Sequence, residues 1–203
     1  MKCPAILILL LLYSNFTVNG QSTKQYLDLT KQFTDSIFSG IHKNHKQVIL
    51  SETINASTFY YCKSILSFDT FYKRTAFDNG KTIKIDTFTF SKDERKIIDS
   101  CYSDYSNFIW ASNLINDAII LSRDTVNTIY DSHAIDIDIY LENCYGDRRL
   151  FSLTKPIFLR DNSFCIFYEE SDCGILCGEG SLIIYKKENE KWNPYMTLAE
   201  WVE

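Results

Sequence analysis

The chain has 203 residues, of which 45% are hydrophobic and 15% aromatic, and its formal net charge is −5. This length suits one domain with a sizeable core, and the aromatic content argues against disorder over most of the chain. Because an acidic chain without a basic cluster repels phosphate groups, nucleic acid and anionic membranes are disfavoured as partners. A protein or a small ligand remains as the class of partner.

Residues 1–20 have the pattern of a secretory signal peptide. Lys2 gives a basic start, an apolar run extends from Cys3 to Tyr13, and compact residues before Gln21 fit a cleavage site. The run is much shorter than the roughly 20 residues of a membrane-spanning helix. We therefore predict a secreted or periplasmic protein without a transmembrane anchor, in which 21–203 forms a single domain. An uncleaved anchor is the alternative.

Six cysteines remain after cleavage, and an even number in an exported chain favours disulfide bonds. The sequence leaves their pairing open, and buried thiols are the alternative. A bridge between Cys173 and Cys177 would close a short loop and contribute about 2 kcal/mol, whereas one between Cys62 and Cys101 would contribute about 4 kcal/mol. The disulfide candidates are Cys62, Cys101, Cys144, Cys165, Cys173 and Cys177.

Three helices are predicted before residue 122. Apolar residues at spacings of three and four predict an amphipathic helix over 21–38. Ser91 and Glu94 form a capping box, which predicts a helix from there to about Tyr102. The apolar stretch 108–121 predicts a third helix.

Two further stretches carry strand signals. Residues 81–90 alternate between apolar and polar types, which predicts a strand. Ile135, Ile137 and Ile139 alternate with Asp136 and Asp138, which is typical of a strand with one solvated face. For residues 134–142 the sequence leaves strand or helix open.

A short phrase occurs twice in the chain. Residues 49–55 read ILSETIN, and residues 120–127 read ILSRDTVN after a one-residue insertion. Both combine a short apolar run with a side chain suited to capping a helix. A duplication and the independent use of one structural device are equally good explanations.

The strand signal is steady through residues 149–203. It predicts an antiparallel meander of about four strands, with Pro156 at an edge or at the start of its strand. The N-terminal and central helices are the natural cover for its apolar face, so that we predict an α+β domain. The predicted strands are 151–159, 163–170, 180–187 and 191–202.

The sequence contains none of the usual motifs of catalytic or nucleotide-binding sites, and no catalytic residue, cofactor or metal is predicted. We therefore expect a non-catalytic exported domain that binds a ligand or associates with the envelope, although the residues leave enzymatic activity uncertain. One alternative is a secreted hydrolase, which requires two carboxyl groups to converge in one cleft. Its candidate acids are Asp136, Asp138, Glu169 and Glu170.

A second alternative is a lid or inhibitor module that inserts the 170–180 connector into a partner. This connector holds Cys173 and Cys177, and Ile175 and Leu176 lie between them. Exposure of these two apolar residues would favour insertion.

The C-terminal part of the chain resembles a group of uncharacterised exported proteins from Bacteroidota. The resemblance rests on the order KPIFLRDNSFCIFYEE, CGILCGEG and SLIIYKKENEKW, which is followed by Trp201. In that group a CGxLCGxG motif precedes a lysine-rich hairpin and a closing tryptophan. The resemblance extends over about 119–203 and implies export, a C-terminal unit of this kind and a helical segment near 134–145. It assigns no catalytic residue.

Overall fold

The computed structural model describes residues 22–38, 47–74, 85–103, 107–131, 136–174 and 176–203. The predicted signal peptide and residues 81–84 of the predicted strand lie outside this part of the chain. The helices of the described part are α1 (Thr23–Phe38), α2 (Ala56–Leu66), α3 (Lys92–Ser103), α4 (Arg123–Asp131) and α5 (Ile137–Tyr145). Its strands are β1 (Val48–Leu50), β2 (Thr70–Arg74), β3 (Ile85–Thr89), β4 (Ile119–Leu121), β5 (Leu150–Leu153), β6 (Ile157–Leu159), β7 (Phe164–Asp172), β8 (Gly178–Glu188) and β9 (Lys191–Val202).

Seven strands form one mixed sheet, and β2 and β3 form a separate hairpin. The large sheet has the order β4-β1-β5-β7-β8-β9, and β6 pairs with β7 beside β5. Strands β4, β1 and β5 are parallel, whereas the pairs from β5 to β9 are antiparallel. The α+β class is thus confirmed.

The predicted four-stranded antiparallel meander is too small and too uniform. The strand predicted over 151–159 is in fact two short strands, β5 and β6, because the residues between them do not pair in the sheet. Pro156 has no amide hydrogen to donate there, and its carbonyl instead accepts a hydrogen bond from Tyr26 Oη (2.8 Å). Strands β1 and β4, which were not predicted, extend the sheet with parallel pairs.

The repeated phrase coincides with these two parallel strands. Ile49 pairs with Ile120 and Leu50 with Leu121, so that the two copies lie side by side in register. A helix begins directly after the first copy, at Ala56, and within the second copy, at Arg123. Glu52 of the first copy accepts a hydrogen bond from the Arg123 amide of the second (2.9 Å). One structural device therefore occurs twice at the same end of the sheet.

The helix predicted over 108–121 is wrong. Turns occupy the middle of this stretch, residues 112–117, and its last three residues are strand β4. Tertiary contacts override the local pattern, because the Trp110 amide donates to the Ser51 carbonyl (2.7 Å) and its indole donates to the Leu153 carbonyl (3.3 Å). These contacts fix Trp110 in the core against strand β5 and the residue after strand β1, and not in a helix.

Residues 137–145 are helical, which resolves the choice left open for 134–142. In helix α5 the buried residues are Ile137 and Leu141, four apart, whereas Ile139 is exposed. The helix ends at Gly146, which has the left-handed conformation that glycine accommodates without strain (φ 79°). The alternation of isoleucines and aspartates is therefore not a strand signal here.

Helices cover both faces of the sheet. Helix α1 packs on one face, which we call the α1 face, through Tyr26 and Phe33. On the other face, the groove face, α2 and α3 pack over β6 to β9. Helices α4 and α5 pack on the same face over β4 and β1. Two separate helical covers thus share the groove face.

The capping box of helix α3 is confirmed. Glu94 Oε2 accepts from the Ser91 amide (2.7 Å), and Ser91 Oγ accepts from the Glu94 amide (3.2 Å). Arg160 Nε also donates to Glu94 Oε1 (2.9 Å). Burial by itself would raise the pKa of Glu94, but these hydrogen bonds outweigh it and lower the pKa below its ordinary value.

We expect Glu94→Gln to lower the free energy of unfolding by about 1 kcal/mol at pH 7. A carboxylate whose pKa is lowered by folding stabilises the protein above its unfolded pKa, and this contribution disappears as the pH falls through the folded pKa. Urea unfolding should therefore show a difference between wild type and variant that is greater at pH 7 than at pH 3. The exposed Asp99 of α3 gives the control Asp99→Asn. A loss that is equal at both pH values would contradict the assignment.

Candidate functional site

On the groove face, the side chains of the sheet change from apolar to polar where the helices that cover it end. Near α2 and α3 its side chains are large and apolar, and towards the far end of β7 and β8 they become acidic or are replaced by glycine. Since paired residues of neighbouring strands share a face, the register gives this change directly. The pairs are Ile166 and Ile184, Tyr168 and Leu182, Glu170 and Gly180, and Asp172 and Gly178.

This polar floor lies at the bottom of a groove of about 1120 Å³. We call it the Glu170 groove, after the residue at its centre. Helices α4 and α5 form one side, and the turn that begins at Cys173 forms the end. Its carboxylates are Asp136, Asp138, Glu170, Asp172 and Glu203, and its cations are Arg123 and Arg148.

A chain of hydrogen bonds holds Glu170 in place. Trp201 Nε1 donates to Tyr168 Oη (2.8 Å), and Tyr168 Oη donates to Glu170 Oε2 (2.9 Å). Thr58 Oγ1 of helix α2 donates to the same carboxylate oxygen (3.2 Å).

The two glycines of β8 make room for this arrangement. A Cβ atom on Gly180 would lie 2.6 Å from the Tyr168 hydroxyl and closer still to the Trp201 indole nitrogen. A Cβ atom on Gly178 would lie 3.0 Å from Trp201 Cζ3. Trp201 therefore packs directly on the backbone of β8, as only glycine permits at Gly180.

Burial and the charges of neighbouring carboxylates shift the pKa values of two groups in the groove. Burial raises the pKa of Glu170, and the charge of Asp172 adds to this effect. Hydrogen bonds from Tyr168 and Thr58 and the charge of Arg123 oppose the rise without cancelling it. The pKa of Tyr130 is also raised, first by burial and then by the charges of Asp172 and Asp138.

Three of the four predicted acids lie at this groove. Asp136 and Asp138 belong to the α5 side, and Glu170 belongs to the floor. Glu169 lies on the α1 face instead, since adjacent strand residues point to opposite faces. There it lines a smaller cavity of about 310 Å³ with Glu179 and Glu200, and burial followed by the Glu179 charge raises its pKa.

The predicted bridge between Cys173 and Cys177 is present. Cys62, Cys101 and Cys165 are buried and carry thiols, as does the exposed Cys144, so that the bridge from Cys62 to Cys101 is not formed. Burial raises the pKa of Cys62 to about 12. The buried thiols act as small apolar core residues.

The tip of the disulfide-bonded turn is exposed in part. Leu176 is 79% exposed, which favours the alternative in which the connector inserts into a partner. Ile175 lies outside the described residues. Insertion therefore stays a prediction.

Sequence reasoning missed Tyr168, Trp201, Arg123 and Thr58. One signal was available, because β7 and β8 lose their apolar residues at the same end on the same alternating positions. Within the described ranges, no three His, Cys, Asp or Glu side chains group closely enough to hold a metal ion. The helices of those ranges all fall short of the length and apolarity that crossing a bilayer requires.

The chain was compared with protein-family models, with curated proteins and with solved structures. None of the three comparisons gives a match.

Proposed function

We propose that this protein is an exported, non-catalytic binding domain, and that the Glu170 groove binds a ligand through a positively charged amine or guanidinium group. The observation that carries the proposal is the uncovered floor of the sheet, where acids and glycines replace apolar side chains. Glu170 is a carboxylate that is partly buried in this floor. Burial of such a group is costly unless a partner compensates it.

The charge balance of the groove supports a cationic ligand. Its carboxylates outnumber its arginines, and Arg148 already pairs with Glu142 outside the floor (2.6 Å). The charge of Asp172, two residues further along β7 on the same face, contributes to the raised pKa of Glu170, so that the two neighbouring carboxylates repel each other on the floor of the groove. A cation placed between them would relieve this repulsion.

The turn that closes the groove supports export. A disulfide bond persists in oxidising compartments and is rare where thiols are kept reduced. Together with the predicted signal peptide, this favours a secreted or periplasmic location.

We expect Glu170→Gln to weaken the binding of agmatine at least about tenfold, as is typical for the loss of one charged hydrogen-bond partner. Isothermal titration calorimetry at pH 7.5 and low salt measures the affinity. Glu169→Gln is the matched control, because it removes the neighbouring carboxylate on the opposite face and should leave binding unchanged. The uncharged diacetylputrescine controls for contacts that do not depend on charge.

The pH dependence provides a second measurement on the same variants. Only the deprotonated carboxylate attracts the cation, so that wild-type affinity should fall as the pH falls through the raised pKa of Glu170. This component should be absent in Glu170→Gln. Equal agmatine affinity in all three proteins, or no binding to wild type, would show that the ligand class is wrong.

A hydrolase is the second candidate, and one observation favours it. Asp138 and Glu170 border the same groove, and the raised pKa of Glu170 suits a carboxylic acid that donates a proton. Wild type would then turn over chromogenic glycosides or esters, and Glu170→Gln would remove turnover without removing binding. A groove that binds agmatine and turns over none of these substrates favours the binding domain.

A further inference from the structure

The end wall of the Glu170 groove is a small covalent ring. The disulfide joins Cys173 to Cys177, and two backbone hydrogen bonds cross the same turn. The Cys173 amide donates to the Cys177 carbonyl (2.9 Å), and the Cys177 amide donates to the Gly174 carbonyl (3.2 Å). We call Cys173, Gly174, Leu176 and Cys177 the disulfide-bonded turn.

The ring holds Leu176 in an unfavourable backbone conformation. Leu176 has a φ of 57°, in the left-handed region where a side chain approaches the backbone too closely. Leucine lacks the short polar side chain with which asparagine or aspartate offsets this cost. Such a residue keeps its conformation only where the surrounding structure imposes it, and here Leu176 adjoins Cys177 of the ring.

The same turn positions two carboxylates of the groove. The Gly174 amide donates to Asp172 Oδ1 (2.9 Å), which fixes the acid beside Glu170. Gly174 also packs against Asp138 of helix α5, where a Cβ atom would lie 3.2 Å from the carboxyl carbon. The turn thus contacts two carboxylates of the groove, Asp172 through a hydrogen bond and Asp138 through packing.

We propose that the Cys173–Cys177 disulfide controls ligand binding, and that its reduction relaxes the turn and weakens binding in the Glu170 groove. This inference rests on the proposed function of the groove. Because the ring is short, its bond contributes less to the stability of the whole chain than a bridge over a longer loop would, and we expect reduction to leave the fold intact. The effect is confined to the end wall and to the acids that contact it.

The chemistry requires a dithiol as co-reactant. One of its thiolates attacks a sulfur of the bridge, for which the exposed Cys177 is better placed than the half-buried Cys173. The second thiol of the reductant then resolves the mixed disulfide. The reductant leaves as its own disulfide after supplying two electrons, and its two thiol protons end on Cys173 and Cys177.

The experiment compares oxidised and dithiothreitol-reduced wild type by NMR and by agmatine titration. On reduction we expect the amide signals of Gly174 and Gly178 to shift, those of Ile49 and Phe167 to stay, and agmatine affinity to fall about three- to tenfold. The double variant Cys173→Ser, Cys177→Ser should bind as weakly as the reduced protein and should not respond to dithiothreitol.

The outcomes separate this inference from the proposed function. Unchanged Gly174 and Gly178 signals on reduction would overturn it, whatever agmatine does. Shifted signals with unchanged affinity would overturn the coupling to binding. If agmatine binds neither form while the signals shift, the proposed ligand class is wrong, but the inference that reduction changes the structure of the disulfide-bonded turn is supported.

Discussion

Replacing Phe33 by alanine is expected to lower the free energy of unfolding by about 3–5 kcal/mol, the largest effect of any single substitution considered for this protein. Phe33 has no exposed surface. Its ring lies edge-on to those of Phe167 (5.1 Å between centroids), Tyr185 (5.2 Å) and Trp192 (5.4 Å). Phe33 thus fixes α1 to three strands of the sheet at once.

Urea unfolding of wild type and Phe33→Ala measures the loss. Phe38→Ala makes the same change in the same helix at a half-buried position, and it should cost distinctly less. A cost below about 1 kcal/mol for Phe33→Ala would mean that α1 contributes little to the core and that its packing on the α1 face is not as described.

The elements that the sequence predicted correctly are those whose signals are local. Phe33 belongs to a helix with a regular apolar stripe, and Ser91 and Glu94 satisfy each other within one turn. Strands β7 to β9 are long and joined by short turns. In each case the residues that decide the conformation lie close together in the chain, so that pattern and structure agree.

The errors arise where distant contacts decide. Trp110 has the apolar neighbours of a helical segment, but its amide and indole hydrogen bonds lead to Ser51 and Leu153. Strand β4 has only three residues, and it becomes a strand because β1 lies beside it. A single sequence carries no direct sign of such a pairing, and the repeated phrase around Ile49 and Ile120 was its only trace.

The sequence identified acidic residues of the groove, but it did not predict that the fold brings them together. Asp136, Asp138 and Glu170 were candidates because of their residue type, and the fold brings them to one groove while it turns Glu169 to the other face. The hydrogen bond from Thr58 to Glu170 joins residues 112 positions apart. No periodicity within one element predicts a contact of that kind.

The two glycines of β8 allow the hydrogen bond between Trp201 and Tyr168, and substitutions at these glycines test it. In sequence, Gly178 and Gly180 resemble the start of a phosphate-binding loop, but they belong to a strand and face Trp201. Their function is to let the indole approach the sheet closely enough to hydrogen-bond with Tyr168. The orientation of Glu170 then depends on Trp201, which acts through the Tyr168 hydroxyl.

We expect Gly180→Ala to lower the free energy of unfolding by about 2–3 kcal/mol and to break the hydrogen bond between Trp201 and Tyr168. Gly180 is buried, and the added Cβ would lie 2.6 Å from the Tyr168 hydroxyl and closer still to the indole nitrogen of Trp201. The Trp201 indole therefore has to move. Denaturation curves measure the cost, and the NMR signal of the Trp201 indole proton reports the broken bond. Gly178→Ala is the matched control, with a smaller expected cost because its closest approach is 3.0 Å to a carbon at the far edge of the ring.

A double-mutant cycle with Trp201→Phe identifies the cause of that cost. If the indole is the obstacle, Gly180→Ala should cost clearly less in the Trp201→Phe background than in wild type, because a phenyl ring lacks the nitrogen that the Cβ would meet. In the Trp201→Phe background the hydrogen bond to Tyr168 is already absent, so that the difference between the two costs measures the steric conflict with the indole together with the loss of its hydrogen bond to Tyr168. Equal costs in the two backgrounds would place the conflict elsewhere and remove the reason for a glycine beneath Trp201.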